Sequence, residues 1–295
     1  MNSKLTTKQT CRMVSAALIS VAILLGAEIG TAQAMQRESG IDGKIAIAAS
    51  VDSCVENAMS QFNIPGLAVA VLVDGEFAYE RGYGVKHRDQ GGAVDEHTLF
   101  RHGSVGKMFT AAAILRLVDQ GIVDLNDPVT EYVPELHFLP GLWSATQMRV
   151  RDLIDNTAGI PSFRSSPEGT LSDWVSTLDE VPLLNRPGAF FNYSNSNFAL
   201  ADLIVERASG MSFNDYMEAE IYRPAGMDDS TRYPSAAVAM GNYSHGHADD
   251  GQVYAPDDYV EMVDGFTSAH DLARWTQIMM KGGEDVVSRR SSRMA

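Results

Sequence analysis

A serine and a lysine stand three residues apart in Ser104-Val105-Gly106-Lys107. They open an apolar, alanine-rich stretch with Met108, Ala111, Ala112, Leu115 and Val118 at helical spacing. At a helix start, positions i and i+3 share one face, so the hydroxyl and the amine become neighbours. A serine hydroxyl is a poor nucleophile at neutral pH; a lysine can act as its base where desolvation or nearby positive charge disfavours the ammonium form. The helix N-terminus also favours negative charge developing on an attacked substrate. The plain structural alternative makes Ser104 an N-cap and Lys107 a solvated first-turn residue. Phe100-Arg101-His102-Gly103 in front and the apolar helix behind favour a buried start, where a lysine needs a purpose.

A second polar cluster, Phe191-Asn192-Tyr193-Ser194-Asn195-Ser196-Asn197, follows the Arg186-Pro187-Gly188 turn and leads into an apolar helix at Phe198. A tyrosine hydroxyl beside cations can accept or relay the serine proton, and an asparagine amide can orient the lysine and a substrate carbonyl. Taken alone, the cluster equally fits capping by Ser194 or Asn195 beside a half-buried tyrosine.

The elements that must position these residues are legible in outline. Residues 51 to 62 predict an amphipathic helix closed by Asn63-Ile64-Pro65-Gly66, and Asp74-Gly75 predicts a two-residue turn joining strands at 67–73 and 77–85. Gly121 is placed to end the helix that starts at Ser104. Prolines at 128, 134, 140, 161, 167, 182 and 187 predict short helices and loops rather than a sheet. Later helices are expected at 195–209, 212–222 and 269–281, the last opened by Ser268-Ala269-His270-Asp271 as a capping box, with His270 on the surface.

Together the two polar elements resemble the penicillin-recognising serine hydrolases: serine β-lactamases, D-alanyl-D-alanine carboxypeptidases and related esterases, in the Y-x-N branch close to class C. The similarity extends through the hairpin at 66–84, "GIVDLNDPVTEYVPEL" (121–136), "RDLIDNTAGIP" (151–161), "RPGAFFNYSNSNFALADLIVERASGMSFNDY" (186–216), "YRPAGMDDS" (222–230) and "GFTSAHDLARW" (265–275). The resemblance implies an α+β fold, with a helical lobe and an antiparallel sheet lobe. It also implies an acyl-enzyme mechanism. Ser104 attacks an amide, lactam or ester carbonyl, Lys107 and Tyr193 share its proton, and Asn195 helps to hold substrate. The Ser104 backbone N–H supplies one oxyanion donor, worth about 3 to 4 kcal/mol in enzymes of this logic. No cofactor or metal is implied.

The family has a third motif, K-T-G or H-x-G, on a strand that closes the site. Lys281-Gly282-Gly283 reads instead as a glycine cap after a helix, and His245-Gly246-His247, near Asp249 and Asp250, as a solvated turn rather than a metal site. The expectation is therefore that the C-terminal strands are missing, leaving the hairpin with an open edge and an uncovered apolar face. A truncated, catalytically weak family member acting at most as a binding protein is the alternative function.

Composition agrees with a globular chain: 45% hydrophobic and 21% charged over 295 residues. Lys4, Lys8 and Arg12 precede an uncharged run from Met13 to Ala27, and Ala32-Gln33-Ala34 follows, so residues 1–34 read as a secretory signal peptide and 35–295 as one hydrolase domain, incomplete at its C-terminus. Losing that leader removes three basic and one acidic residue, taking the formal charge from −15 to −17. So acidic a surface argues against nucleic acid or anionic membrane as partner and leaves a small-molecule or cell-wall peptide substrate outside the cytoplasm. The sequence does not address oligomeric state. Cys54 is then the single cysteine, read as a partly buried apolar residue.

Overall fold

In a computed structural model of the chain, residues 41–162, 170–248, 250–256, 265–283 and 285–293 are described, with side chains from residue 45 onward. The leader at 1–34, Pro167 and Asp249 lie outside them. The first helix, α1 (Ile41–Phe62), starts ten residues earlier than the amphipathic pattern predicts. It leads into strands β1 (Gly66–Val73) and β2 (Glu76–His87), an antiparallel pair whose two turn residues, Asp74 and Gly75, have φ of 53° and 79°. Positive φ at both positions is what a type I′ turn demands, and Asp-Gly is among the few pairs that adopt it readily. Strand β3 (Gly91–Ala93) adds to β2, giving the order β1-β2-β3 with β1 at the edge.

Alternation along β2 puts Tyr79, Arg81 and Tyr83 on one face. All three converge on Asp52 of α1, the two hydroxyls donating at 2.5 and 2.6 Å and the guanidinium at 3.1 Å. The hydroxyl bonds, Tyr79 first, hold the Asp52 carboxyl below the usual carboxylate range. Two residues from this anchor, Cys54 is exposed, which corrects the partly buried reading.

Past the short strand β4 (Phe100–Arg101), a 3₁₀ turn at Gly103–Gly106 runs into α2 (Lys107–Asp119). This helix is buried on nearly every side, including Phe109, Ala112, Ala113, Ile114, Leu115 and Leu117, as befits the centre of a lobe. Its small alanines admit α3 (Asn195–Ser209), which packs along it and matches the expected bounds. Between the two lie short helices at Val129–Tyr132, Val150–Ile154 and Leu171–Val175, the proline-punctuated cluster that the sequence predicts. The single helix expected at 212–222 divides into Phe213–Tyr216 and a π-helical turn, Met217–Tyr222.

Strands β5 (Gly246–His247) and β6 (Val253–Tyr254) form a small ladder of their own, and β7 (Phe266–Thr267) pairs with β4. The last helix, α4 (Ala269–Met280), packs against β1 and β2. Its Gln277 donates through Nε2 to Gly75 O at 2.6 Å. The hairpin, expected to have an uncovered face, thus has α4 packed on it, although every residue of β1 keeps some exposure and β1 is an edge among the described residues. Phe109 joins the lobes by edge-on contacts with Trp275 at 4.9 Å and Tyr222 at 5.5 Å. No helix among the described residues is long and apolar enough to cross a membrane.

Ser268 caps α4 by accepting the Asp271 N–H at 3.1 Å. His270 is half-buried rather than simply exposed: Nδ1 lies 2.7 Å from Glu80 Oε1, and its ring stacks on Phe77. Lys281 ends the helix and is followed by Gly282 and Gly283 at φ of 94° and 92°, the glycine cap read from the sequence.

The Asp271 carboxyl accepts from Ser230 Oγ at 2.7 Å and from the Asp229 N–H at 3.0 Å, yet burial, aided by the Asp229 charge, pushes it up to about 6. A carboxyl raised in the folded state binds its proton more tightly there than in the unfolded chain. Its stabilising contribution is full below the unfolded value of 3.8 and is lost as pH rises through about 6. Asp271→Asn is expected to flatten the fall in unfolding free energy between these pH values, measured by urea denaturation at each pH. A slope identical to that of the native chain would refute this.

Candidate active site

Ser104 sits where strand gives way to helix. His102, after β4, donates its N–H to Gly265 O beside β7 at 3.0 Å, and Gly103 then turns left-handed at φ 51°. Glycine adopts that angle without the cost of about 1 to 2 kcal/mol that a Cβ adds. The turn leaves Ser104 exposed, while Lys107, at the first position of α2, is only 7% exposed.

The structure brings the four side chains singled out in the sequence together. Lys107 Nζ donates to Ser104 Oγ at 3.2 Å and to Asn195 Oδ1 at 2.8 Å. The Tyr193 hydroxyl donates to the same Ser104 Oγ at 2.8 Å. Faces of two aromatic rings line the ammonium, Tyr193 at 5.0 Å and Phe198 at 5.5 Å, replacing part of the hydration that burial removes. Tyr193 is itself 46% exposed, so the hydroxyl pair opens to solvent on the side from which a substrate would arrive. Of the two capping residues the sequence offered, Ser194 is the one realised. Ser194 caps α3 by accepting the Ser196 N–H, which leaves Asn195 free to turn toward the lysine.

What holds the Tyr193 loop was missed in the sequence. Asn156, at φ 54° and almost fully buried, accepts through Oδ1 from Ser194 N–H at 3.1 Å and from Asn197 Nδ2 at 3.3 Å. Its own carbonyl takes the Asn192 N–H at 2.6 Å. Further along, Asn192 Nδ2 donates to Ile160 O, and Ser194 and Ser196 hydroxyls both donate to Pro161 O. Residues 156–161 are thus a polar clamp around 192–197. The one available signal was an Asn inside "DNTAGIP", a residue type that tolerates left-handed backbone.

Lys281-Gly282-Gly283 closes α4 as a glycine cap. His245-Gly246-His247 lies on β5 and the residue before it. The rings of His245 and His247 stand 4.6 and 6.0 Å from that of His87 at the end of β2, so it is a half-buried strand rather than a solvated turn. No group of His, Cys, Asp or Glu among the described residues is arranged to hold a metal ion.

The Beta-lactamase family profile matches residues 51–295. The chain belongs to the beta-lactamase family. Among curated relatives, a Beta-lactamase of Yersinia enterocolitica is 33% identical over 208 residues, covering 70% of this chain and 52% of that protein. Protein flp of Staphylococcus aureus (strain MW2) is 28% identical over 202 residues, covering 65% of this chain and 40% of that protein. This beta-lactamase-family chain therefore spans about half or less of the length of either. Among solved structures, a class C beta-lactamase superposes with a TM-score of 0.74 at 25% identity, over 86% of this chain and 70% of its own. The octameric penicillin-binding protein homologue from Pyrococcus abyssi has a TM-score of 0.73 at 23% identity, over 83% and 59%, and shares the fold.

The clamp generates a prediction. Asn156→Ala leaves the Ser194 N–H and the Asn197 amide without their acceptor, a loss of about 1 to 3 kcal/mol. Asn156→Gly removes the same acceptor but relieves the positive φ, so it should destabilise less while loosening Tyr193 equally. Thermal denaturation separates the two effects; equal stability of both variants and the native chain would exclude the clamp.

Proposed function

We propose that this chain is a serine hydrolase of the β-lactamase and penicillin-binding type, forming an acyl-enzyme on Ser104 with a β-lactam, D-amino-acid peptide or ester. The observation that carries this reading is the meeting of two proton-handling groups on one hydroxyl oxygen, Lys107 Nζ at 3.2 Å and Tyr193 OH at 2.8 Å. Family membership and the class C fold support it.

In the geometry observed, both groups donate to Ser104 Oγ, which suits the resting state. Attack requires one of these bonds to reverse. Once the amine or the phenol has given up a proton, it accepts the proton of Ser104 as Oγ bonds to the carbonyl carbon. Asn195 Oδ1 keeps the lysine aimed through this exchange, because it remains an acceptor for an amine N–H in either protonation state. The developing oxyanion then lies near the Ser104 N–H, at the start of the 3₁₀ turn, where backbone N–H groups lack partners within the turn. The stored proton passes to the leaving nitrogen or oxygen, and water attacks the ester by the reverse path.

An exported location is part of the proposal, resting on the leader-like residues 1–34. So is a small-molecule or cell-wall peptide substrate, resting on the acidic charge of −15. Intact mass after exposure to a penicillin or a fluorophosphonate tests the reading. One adduct is expected on the native chain and none on Ser104→Ala, with Lys107→Met slowing adduct formation by about 10² to 10⁴-fold. Turnover of a chromogenic cephalosporin against a short-chain nitrophenyl ester then separates lactam from ester specificity. A folded chain that takes no Ser104-dependent adduct refutes the proposal.

A further inference from the structure

The peptide group that joins Gly103 to Ser104 carries the N–H on which oxyanion stabilisation depends. A trans peptide is planar, so its C=O and its N–H point opposite ways and turn together when Gly103 rotates. Glycine is the residue least able to resist that rotation by itself. A Cβ placed on Gly103, at φ 51°, would meet nothing within 4 Å, so packing at that carbon does not hold the peptide either.

A side chain does reach it. His102 Nδ1 lies 3.0 Å from Gly103 O, and because a carbonyl has no hydrogen to give, Nδ1 is the donor. The donor stands on a rigid base. His102 is 1% exposed, its N–H is bonded to Gly265 O at 3.0 Å, and its carbonyl accepts the Val105 N–H at 3.1 Å. One edge of its ring meets Phe109 at 5.7 Å, and Phe109 is itself fixed between Tyr222 and Trp275. On another side stands Gly265, where a Cβ would come within 2.5 Å of His102 Nε2. The ring therefore has little room to turn, and its Nδ1–H transmits the order of the core to a peptide at the surface. A buried leucine could fill the same space against Phe109, but it has no hydrogen to offer the carbonyl.

We propose that His102 is a positioning residue for the oxyanion donor: by holding Gly103 O it aims the Ser104 N–H at the place where negative charge develops on the substrate. The same bond draws electron density toward the carbonyl oxygen, and hydrogen bonds in series polarise one another, so the N–H becomes a better donor as well as a better aimed one. The inference rests on the acyl-enzyme reading of Ser104, so its test includes a readout that needs no reaction.

Gly103-Ser104 is the only Gly-Ser sequence in the chain, so protein carrying carbonyl-¹³C glycine and ¹⁵N serine gives one NMR signal from a ¹³C–¹⁵N peptide bond, and that signal is this peptide. In His102→Leu the signal is expected to move, and the rate of Ser104 fluorophosphonate labelling at saturation to fall by about 10- to 10²-fold, short of the 10²- to 10³-fold that loss of a whole oxyanion donor costs. The half-saturating concentration should stay near that of the native chain. His102→Asn, which keeps an N–H donor close to the Nδ1 position, should bring both readouts back toward native values; His102→Gln, whose amide lies farther out, should not. The Asn and Gln pair also decides the matter where His102→Leu does not fold. Native signal and native labelling rate in folded His102→Leu, or Asn and Gln variants that behave alike, would overturn the proposal. A native chain that takes no Ser104 adduct sinks the hydrolase reading, and the peptide signal then decides alone: moved in Leu and restored in Asn, it upholds His102 as the holder of this peptide, and unmoved it overturns that role.

Discussion

The constraint on which the rest of the structure depends is the burial of one cation. An ammonium taken out of water costs several kcal/mol unless hydrogen bonds and opposing charge replace its hydration. Lys107 is surrounded by replacements: Ser104 Oγ and Asn195 Oδ1 as acceptors, the rings of Tyr193 and Phe198 on its flanks. The replacements arrive from three adjoining pieces of structure, Asn195 and Phe198 both from α3. The ammonium therefore holds the 3₁₀ turn, the Tyr193 loop and the start of α3 at one point, and these stretches must be delivered there by the fold.

Delivery is shared between rigid pieces. Strand β4 is pinned by β7 and hands the chain to Gly103, which aims Ser104 outward as α2 begins inward. The Tyr193 loop has no regular structure of its own; the backbone carbonyls of Ile160 and Pro161 and the Asn156 amide hold it, so its hydroxyl stays fixed while nearly half of the side chain meets solvent. Farther back, Thr110 of α2 donates to Asp202 of α3, and Arg232 lies 3.9 Å from the same carboxyl. Sheet, loop and helix pair thus meet at Ser104 from three sides.

Some of this was legible in residue order and some was not. The Asp74-Gly75 turn, the end of α2 at Gly121, the bounds of α3 and the glycine cap after α4 all follow from local preferences that act within a few residues. The early start of α1 at Ile41 was missed because its apolar alanines and isoleucines carry no clear periodicity. The roles of Asn156 and His270 were missed for a different reason: their partners lie 36 to 41 and 190 residues away. A hydrogen bond between such distant positions leaves no spacing to read.

By itself the sequence determined the chemistry on offer: a hydroxyl and an amine one helical turn apart, a tyrosine and an asparagine in a polar loop, and the hydrophobic periods that make α2 and α3 helices. Local geometry depends on neighbours in the chain, and neighbours are what a sequence displays. Only the tertiary structure decided that Tyr193 and Lys107 would meet on the same oxygen, that Ser194 rather than Asn195 would cap α3, and that Asp202 would face Arg232 in the dark of the core. Those outcomes depend on how side chains from separate stretches of chain pack together, 89 residues apart for Tyr193 and Ser104 and 30 for Asp202 and Arg232, and on which charges lose their water when they do.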